Sequence, residues 1–282
     1  MNMENITPDP SMQVMGALSV LSALLEQETG QQISPMRTGR IEAALKPLMR
    51  DRRIASLDDL ATVIVTGADR ELETLAVEAM LNQETSFFRD AAVMDQAIDV
   101  LLTLMADAGE RRLRVWCAGC STGQEPYSLA ILLSERLANS DKPFPDIIAT
   151  DVSACALNRA RQGRYSSFEI QRGMPVRRMV SWFDTEGESW VARPELRKRI
   201  RYLHCNLVAD MPPAGPFDLI LCRNVLFYFA LPIRRRIFEM IAGNMRPEAL
   251  LLLGAGETVI GQTQRLQPSP RFRGFYSLMA NA

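Results

Sequence analysis

The chain has 282 residues, 47% of them hydrophobic and 23% charged, with a formal net charge of −1. This length suits one large or two modest domains with ample core, and the composition is that of an ordinary globular protein, neither disordered nor membrane-embedded. A charge balance so near neutral gives no global attraction to nucleic acid, which usually demands a basic domain or stripe, so no nucleic-acid partner is expected and charge-based recognition has to be local.

The stretch Met1 to Pro10 is polar, carries Glu4 and Asp9, and lacks the basic-then-apolar pattern of a secretory signal. No apolar run reaches bilayer-spanning length, so a cytoplasmic protein without membrane insertion is expected. Cys117, Cys120, Cys155, Cys205 and Cys222 then read as reduced thiols. Cys117 and Cys120 form a C-x-x-C, but no second Cys/His pair stands at finger spacing, so they read as apolar strand filler and no metal is expected. His204 is the single histidine, which weakens any scheme built on a histidine base or ligand.

Residues 11 to 81 read as helices with no strand alternation between them. The first runs from about Met12 to Gln27 and stops at Gly30; Ser34-Pro35 opens a second that ends near Arg50. Ser56 starts a third with Asp59 at the box position, and Gly67 separates it from a fourth over Glu71 to Leu81, whose apolar face is Leu72, Leu75, Ala76 and Ala79. After a polar junction at Asn82 to Ser86, a helix from about Asp90 to Ala106 precedes a change of pattern. Short apolar strands follow at Leu113–Ala118, Asp146–Thr150, Ile200–Cys205, Phe217–Cys222 and Ala249–Gly254, several separated by helices such as Pro126–Leu137 and Ile233–Met245. Such alternation predicts a parallel sheet covered on both faces. Phe168 to Lys198, with Trp182, Phe183, Trp190 and Val191 around Glu186-Gly187, reads as a small antiparallel insert. Arg271–Met279 has strand character and is expected to pair antiparallel beside Leu250–Leu253 at the sheet edge.

The segment most informative for chemistry is Val115-Trp-Cys-Ala-Gly-Cys-Ser-Thr-Gly-Gln-Glu-Pro-Tyr-Ser128, a strand, a glycine loop and a helix, at the place where open α/β sheets bind ligands. Gly119 and Gly123 suit close backbone approach, although a plain turn needs glycines too. Neither a Gly-Lys-Ser/Thr phosphate loop nor the dinucleotide G-x-G-x-x-G is present, and Glu125 at the helix start would repel a pyrophosphate while attracting a sulfonium and an ammonium. Asp151 closes the next strand, where a carboxylate accepts from both ribose hydroxyls or, alternatively, supplies a helix N-terminal charge ahead of Ser153. Together these suit an adenosine without phosphates.

Five segments in order, Thr85-Ser-Phe-Phe-Arg89, Ala118 to Ser128, Ala149-Thr-Asp151, Asn206-Leu207 and Cys222-Arg-Asn-Val-Leu-Phe-Tyr-Phe229, resemble the chemotaxis receptor glutamate methyltransferase family, CheR, over nearly the full length. The resemblance implies an α/β Rossmann-like class I methyltransferase domain with a mostly parallel sheet and an antiparallel last strand. It also implies a small β-insert and a preceding all-α domain. The expected organisation is a helical, receptor-recognising domain at 1–82, a junction and linker helix at 83–110, and the methyltransferase domain at 111–282 with its insert at about 168–198. The cofactor is expected to be S-adenosylmethionine, leaving S-adenosylhomocysteine. The family pattern assigns cofactor contacts to Thr85, Arg89, Glu125, Asp151, Asn206, Leu207, Asn224 and Val225, and places Arg89 and Tyr228 nearest methyl transfer. Where the family commonly has Asn, this chain has Gln83, a longer amide for the same contact.

Read as residues, Arg89 offers a planar fork of donors for a carboxylate, directly after two phenylalanines. Asn206 either accepts from an adenine amino group or caps a turn, and Tyr228 serves equally as a packed aromatic. A glutamate carboxylate, with a reference pKa of about 4.3, attacks a methyl group without losing a proton, so no general base is required. The family resemblance implies as partner the cytoplasmic domain of methyl-accepting chemotaxis receptors, expected to be bound by a monomer, with Arg37, Arg40, Lys46, Arg50 and Arg53 recognising glutamate-rich helices. Arg52 belongs to the same basic run, which faces only Glu42 and Asp51. The loop Phe183–Trp190 is short and carries Asp184, Glu186 and Glu188, so a tethering pentapeptide at the receptor C-terminus is not expected to dock on the insert. The alternative function is a non-catalytic S-adenosylmethionine-binding signalling module; a nicotinamide oxidoreductase is disfavoured by the missing fingerprint.

Overall fold

The computed structural model describes residues 10–33 and 38–279, which fall into two compact units, Met1–Asn82 and Gln83–Ala282. The first unit holds α1 (Pro10–Thr29), α2 (Thr38–Asp51), α3 (Leu57–Thr66) and α4 (Arg70–Met80). The expected start of α2 at Ser34-Pro35 lies outside the described residues, as does Arg37. Ser56 Oγ accepts the Asp59 N–H at 3.1 Å to open α3, which Gly67 closes at φ 63°, a left-handed cap that glycine adopts without a Cβ clash. Asp69 opens α4 by accepting the Leu72 N–H at 2.9 Å. The buried line of α4 is Leu72, Ala76, Val77 and Met80. Leu75 and Ala79, expected on that face, are only half-buried, because α1 and α2 pack along the four-residue line that starts at Leu72.

Arg40, Lys46, Arg50 and Arg53 are exposed. Arg40 Nη2 donates to Asn82 Oδ1 at 2.8 Å, Lys46 pairs with Glu42 at 3.6 Å and Arg50 with Asp51 at 3.4 Å, ion pairs too solvated to hold these side chains firmly. Lys46 and Arg50 line a groove of ≈ 400 Å³ with Met49 and Ile54. Arg52 departs from the expectation, since it turns to Asp69 and Glu71 at 3.6 and 3.0 Å; the basic run therefore faces more acid than Glu42 and Asp51 alone.

The second unit begins with α5 (Ala91–Asp107), β1 (Arg114–Ala118), α6 (Gln124–Arg136), β2 (Asp146–Asp151) and α7 (Ala154–Gln162). An insert follows: β3 (Arg164–Ser166), α8 (Ser167–Gln171), α9 (Val176–Trp182), β4 (Phe183–Glu186), β5 (Ser189–Ala192) and α10 (Pro194–Arg197). The chain returns through β6 (Ile200–His204), β7 (Phe217–Cys222), α11 (Leu231–Gly243), β8 (Met245–Leu253), β9 (Leu266–Pro268) and β10 (Phe275–Leu278). The main sheet has seven strands in the order β6-β2-β1-β7-β8-β10-β9, parallel through β8 and antiparallel where β10 meets β8 and β9. Phe275 stands opposite Leu252, the antiparallel pairing expected of the C-terminal segment, but β10 is not the edge strand, because β9 pairs on its other side. β9, which carries Pro268, was not foreseen; it pairs only with β10, at the edge where proline is tolerated.

Alternate residues of each central strand enter different cores. Val115, Cys117, Leu219 and Leu221 pack with Ile98, Leu101, Leu129 and Leu133 of α5 and α6 on one face. Trp116, Ala118, Ile220 and Cys222 pack with Ile237, Phe238 and Ile241 of α11 on the other. Strands buried on both sides read as continuous apolar runs for this reason.

The insert is the expected antiparallel sheet, in the order β3-β5-β4, but it starts earlier than residue 168, because Arg164–Ser166 pairs with Ser189–Val191. Glu186 stands opposite Ser189, so β4 and β5 are joined by the two residues Gly187 and Glu188, with Gly187 at φ 62°. Among the described residues no helix is long and apolar enough to cross a membrane.

Candidate active site

Ala118 stands opposite Thr150, and Asp151 opposite His204, so the loops leaving β1, β2 and β6 emerge side by side, with that of β7 next to β1. This edge of an open α/β sheet is where ligands collect. The loop after β1 is bent through Gly119, Ser121 and Gly123 at φ 76°, 50° and 95°. The Gly119 and Cys120 N–H groups both donate to the Thr150 carbonyl at 2.8 Å, which ties this loop to β2. A Cβ on Gly119 would lie 2.4 Å from Val225 Cγ2, and one on Gly123 would lie 2.9 Å from Ala160 Cβ. Glycine at 119 thus makes room for Val225, itself a predicted cofactor residue, and glycine at 123 for α7.

Asp151 is fixed by two amides. Its Oδ2 accepts the Ser121 N–H at 2.7 Å and its Oδ1 the Ser153 N–H at 2.9 Å. Gln83 reaches the same place: its Nε2 donates to Ser153 Oγ at 3.1 Å, and its carbonyl accepts the Ser121 hydroxyl at 2.9 Å. The longer amide at this position is therefore engaged with the loop beside Asp151. Ser153 also caps α7, accepting the Ala156 N–H at 2.9 Å.

Around Arg89 the backbone is twisted twice, with Phe88 and Asp90 at φ 48° and 56°, an uncommon region for residues other than glycine. Phe87 and Phe88 are buried, and the Phe88 N–H donates to Ser128 Oγ of α6 at 2.9 Å. The group that holds this twist is Arg223, which sequence reasoning did not single out. Its side chain is only 2% exposed. Nη1 donates to Glu125 Oε2 at 2.9 Å; Nη2 donates to Asp90 Oδ2 at 2.7 Å and to the Arg89 carbonyl at 3.2 Å. Burial pushes the Glu125 carboxyl above its ordinary value, and the Arg223 and Arg89 charges pull it back. Arg223 stood in the sequence as a charge directly after the four apolar strand residues Leu219–Cys222, a signal that it would be buried and would need acidic partners.

A third cluster forms after β7. Asn224 adopts φ 59°, and the carboxylate of Glu257, unremarked in the sequence, bonds to its amide at 2.8 Å. Asn224 Oδ1 is buried and has no hydrogen-bond partner among the described residues. Tyr228 ends a short 3₁₀ turn, Leu226–Tyr228, half-buried with the Phe227 ring centroid at 4.3 Å. Beyond β6, Asn206 Oδ1 accepts the Val208 N–H at 3.0 Å, the turn-capping arrangement. Leu207 and Val225 lean on the α11-side core, and Thr85 is half-buried on the segment that carries Arg89.

The second unit thus gathers Gln83, Asp151, Arg89, Glu125, Gly119, Asn224 and Val225 on adjoining loops, whereas Arg40, Lys46, Arg50 and Arg53 belong to the first unit. A cationic adenosine ligand suits what is there. Glu125 Oε1 meets no donor among the described residues, the buried Asn224 oxygen lacks one, and no lysine or glycine-rich phosphate cradle is present. His204 sits exposed at the end of β6, 2.9 Å from the Val152 carbonyl. Burial drives the Cys117, Cys120 and Cys222 thiols well up, which keeps these three protonated.

Sheet order, β-insert and ligand loops together define a Rossmann-like methyltransferase domain that uses S-adenosylmethionine. The family description "CheR methyltransferase, SAM binding domain" matches residues 83–274. "Chemotaxis protein methyltransferase 1" of Vibrio cholerae is 34% identical over 246 residues, spanning 86% of this chain and 89% of that protein. The protein of the same description in Pseudomonas aeruginosa is 35% identical over 244 residues, 83% of this chain and 87% of its own. This chain belongs to the CheR methyltransferase family.

Proposed function

We propose that this methyltransferase esterifies glutamate side chains on the cytoplasmic domain of methyl-accepting chemotaxis receptors, working as a cytoplasmic monomer in sensory adaptation. The observation that carries this is Arg89, a fork of carboxylate-matched donors on a backbone that Arg223 holds through the Arg89 carbonyl between two left-handed residues, beside loops where burial keeps Cys117, Cys120 and Cys222 as thiols. An acceptor that is already an anion needs no base. S-adenosylmethionine supplies an electrophilic methyl group on a sulfonium. Thr85, Asp151, Asn206, Leu207, Asn224, Val225 and Gln83 would hold the adenosine, Glu125 its ammonium, and Arg89 with Tyr228 would orient the reacting carboxylate. Anion and sulfonium become ester and thioether, so charge vanishes along the path, and an aligned, water-poor site favours that change.

For the receptor, the exposed Arg40, Lys46, Arg50 and Arg53 offer positive charge to a glutamate-rich helix, a steering effect that salt would weaken. The two-residue turn at Gly187-Glu188 supports methylation without a tethering pentapeptide, because it leaves no extended loop for one to dock against. Charge is the weaker support: Asp184 pairs with Arg193 at 3.1 Å and Glu186 with Arg164, so among the described residues only Glu188 of the three acids lacks an ion pair.

Two experiments test this. Methyl-labelled S-adenosylmethionine is expected to leave alkali-labile label on a receptor cytoplasmic fragment, at the same rate after its last five residues are removed. Binding of S-adenosylhomocysteine without any transfer would establish the non-catalytic signalling module instead. Asp151→Ala should weaken S-adenosylhomocysteine on the order of tenfold or more in calorimetry, since bonds to a charged acceptor are among the stronger ones. Unchanged affinity would remove Asp151 from the site.

A further inference from the structure

We infer that Glu257 is a positioning residue for the cofactor, whose carboxylate clamps the loop after β7 in the shape that presents Asn224 and Val225. This rests on the proposal that those two residues hold S-adenosylmethionine. Glu257 lies half-buried in the turn after β8. Its Oε2 accepts the Asn224 and Gly254 N–H groups, both at 2.8 Å, and its Oε1 accepts those of Val225 at 2.9 Å and Leu226 at 2.6 Å. Three consecutive amides of one loop therefore converge on a single side chain. Successive N–H groups converge this way when the backbone alternates hand, and such a concavity binds an anion. Here Asn224 at φ 59° is followed by Val225 at φ −120°, and the anion is part of the chain.

No neutral side chain replaces it. Glutamine would keep one acceptor, but its NH₂ would face two N–H donors. The surroundings leave the loop little other room. A Cβ on Gly254 would lie 2.8 Å from both the amide nitrogen and Nδ2 of Asn224 and 2.9 Å from Glu257 Oε2, so glycine is required there for space. Val225 is held from the opposite side by its approach to Gly119. The result is a rigid presentation of the unpartnered Asn224 oxygen, as a ligand donor requires.

The test uses the full chain as Glu257→Gln, Gly254→Ala and Asn224→Ala, with S-adenosylhomocysteine titrations, separate KM values for S-adenosylmethionine and for a receptor fragment, and thermal melts. Glu257→Gln should lower S-adenosylhomocysteine affinity on the order of ten- to a hundredfold and raise KM for S-adenosylmethionine, with KM for the receptor unchanged. Gly254→Ala crowds both Asn224 and the Glu257 carboxylate while leaving its charge in place; it should give the same pattern and serves if the glutamine variant does not fold. A folded Glu257→Gln with normal affinity, while Asn224→Ala loses it, overturns the clamp. So does a loss that moves kcat and both KM values together, the mark of general destabilisation. Normal affinity in Asn224→Ala overturns the cofactor assignment beneath it.

Discussion

Replacing Arg223 by methionine is expected to lower the melting temperature by about 10 °C and to abolish S-adenosylhomocysteine binding. The guanidinium is almost fully buried and bonded to Glu125, Asp90 and the Arg89 carbonyl, so its removal strands the largely buried Glu125 without its hydrogen-bonded counter-ion, leaving only the weaker pull of Arg89. Breaking a buried pair by deleting one partner costs about 3–5 kcal/mol. In a unit of this size each kcal/mol moves the midpoint by roughly 2–4 °C. A pH signature accompanies it. Burial already holds the Glu125 carboxyl above its ordinary value, and loss of Arg223 moves it higher. A carboxyl raised in the folded state contributes stability when protonated and loses it as pH rises through the folded value. The deficit of the variant should therefore be greatest above that folded value and shrink as pH falls through it, as followed by thermal melts across pH. A wild-type midpoint would mean that the buried pair is not needed.

Arg89→Ala is expected to reduce kcat on the order of a hundredfold or more while leaving the melting temperature nearly unchanged. The side chain is half-exposed, so truncation costs the fold little, whereas misplacing a reacting carboxylate by an ångström costs about two orders of magnitude. Arg89→Lys should recover only a small part, because an ammonium keeps the charge but not the planar pair of donors. Single-turnover methyl transfer to a receptor fragment separates this from slower product release. Normal turnover in the alanine variant would refute the role.

Much of the fold was legible because the responsible forces are local. Ser56 and Gly67 announce the ends of α3, and the apolar runs at 113–118 and 217–222 announce strands buried on both faces. What escaped depends on partners distant in the chain. β3 is a strand only because Arg164–Ser166 finds β5, and β9 only because β10 folds back between it and β8. The acidic loop of the insert was legible as charge, but not the arginines, Arg164 and Arg193, that offset two of its acids. At the site, the motif residues could be placed on their strand ends, but the groups that shape them could not. Arg223 meets Glu125 from 98 residues away, and Glu257 reaches the loop after β7 from 31 to 33 residues downstream. Nothing in either residue's neighbourhood in sequence names those partners.

The division of the chain before Gln83 carries a practical instruction for protein dissection. The strand pattern alone suggests trimming to Leu113, but such a fragment would discard Gln83, whose carbonyl and amide bond to Ser121 and Ser153, and the Arg89-Asp90 pair that receives Arg223. Without that leading ribbon, Arg223 would lose two of its acceptors and the loop beside Asp151 two of its bonds. Expression boundaries for isotope labelling or crystallisation of the catalytic half belong at Asn82, so that the ribbon is inherited intact.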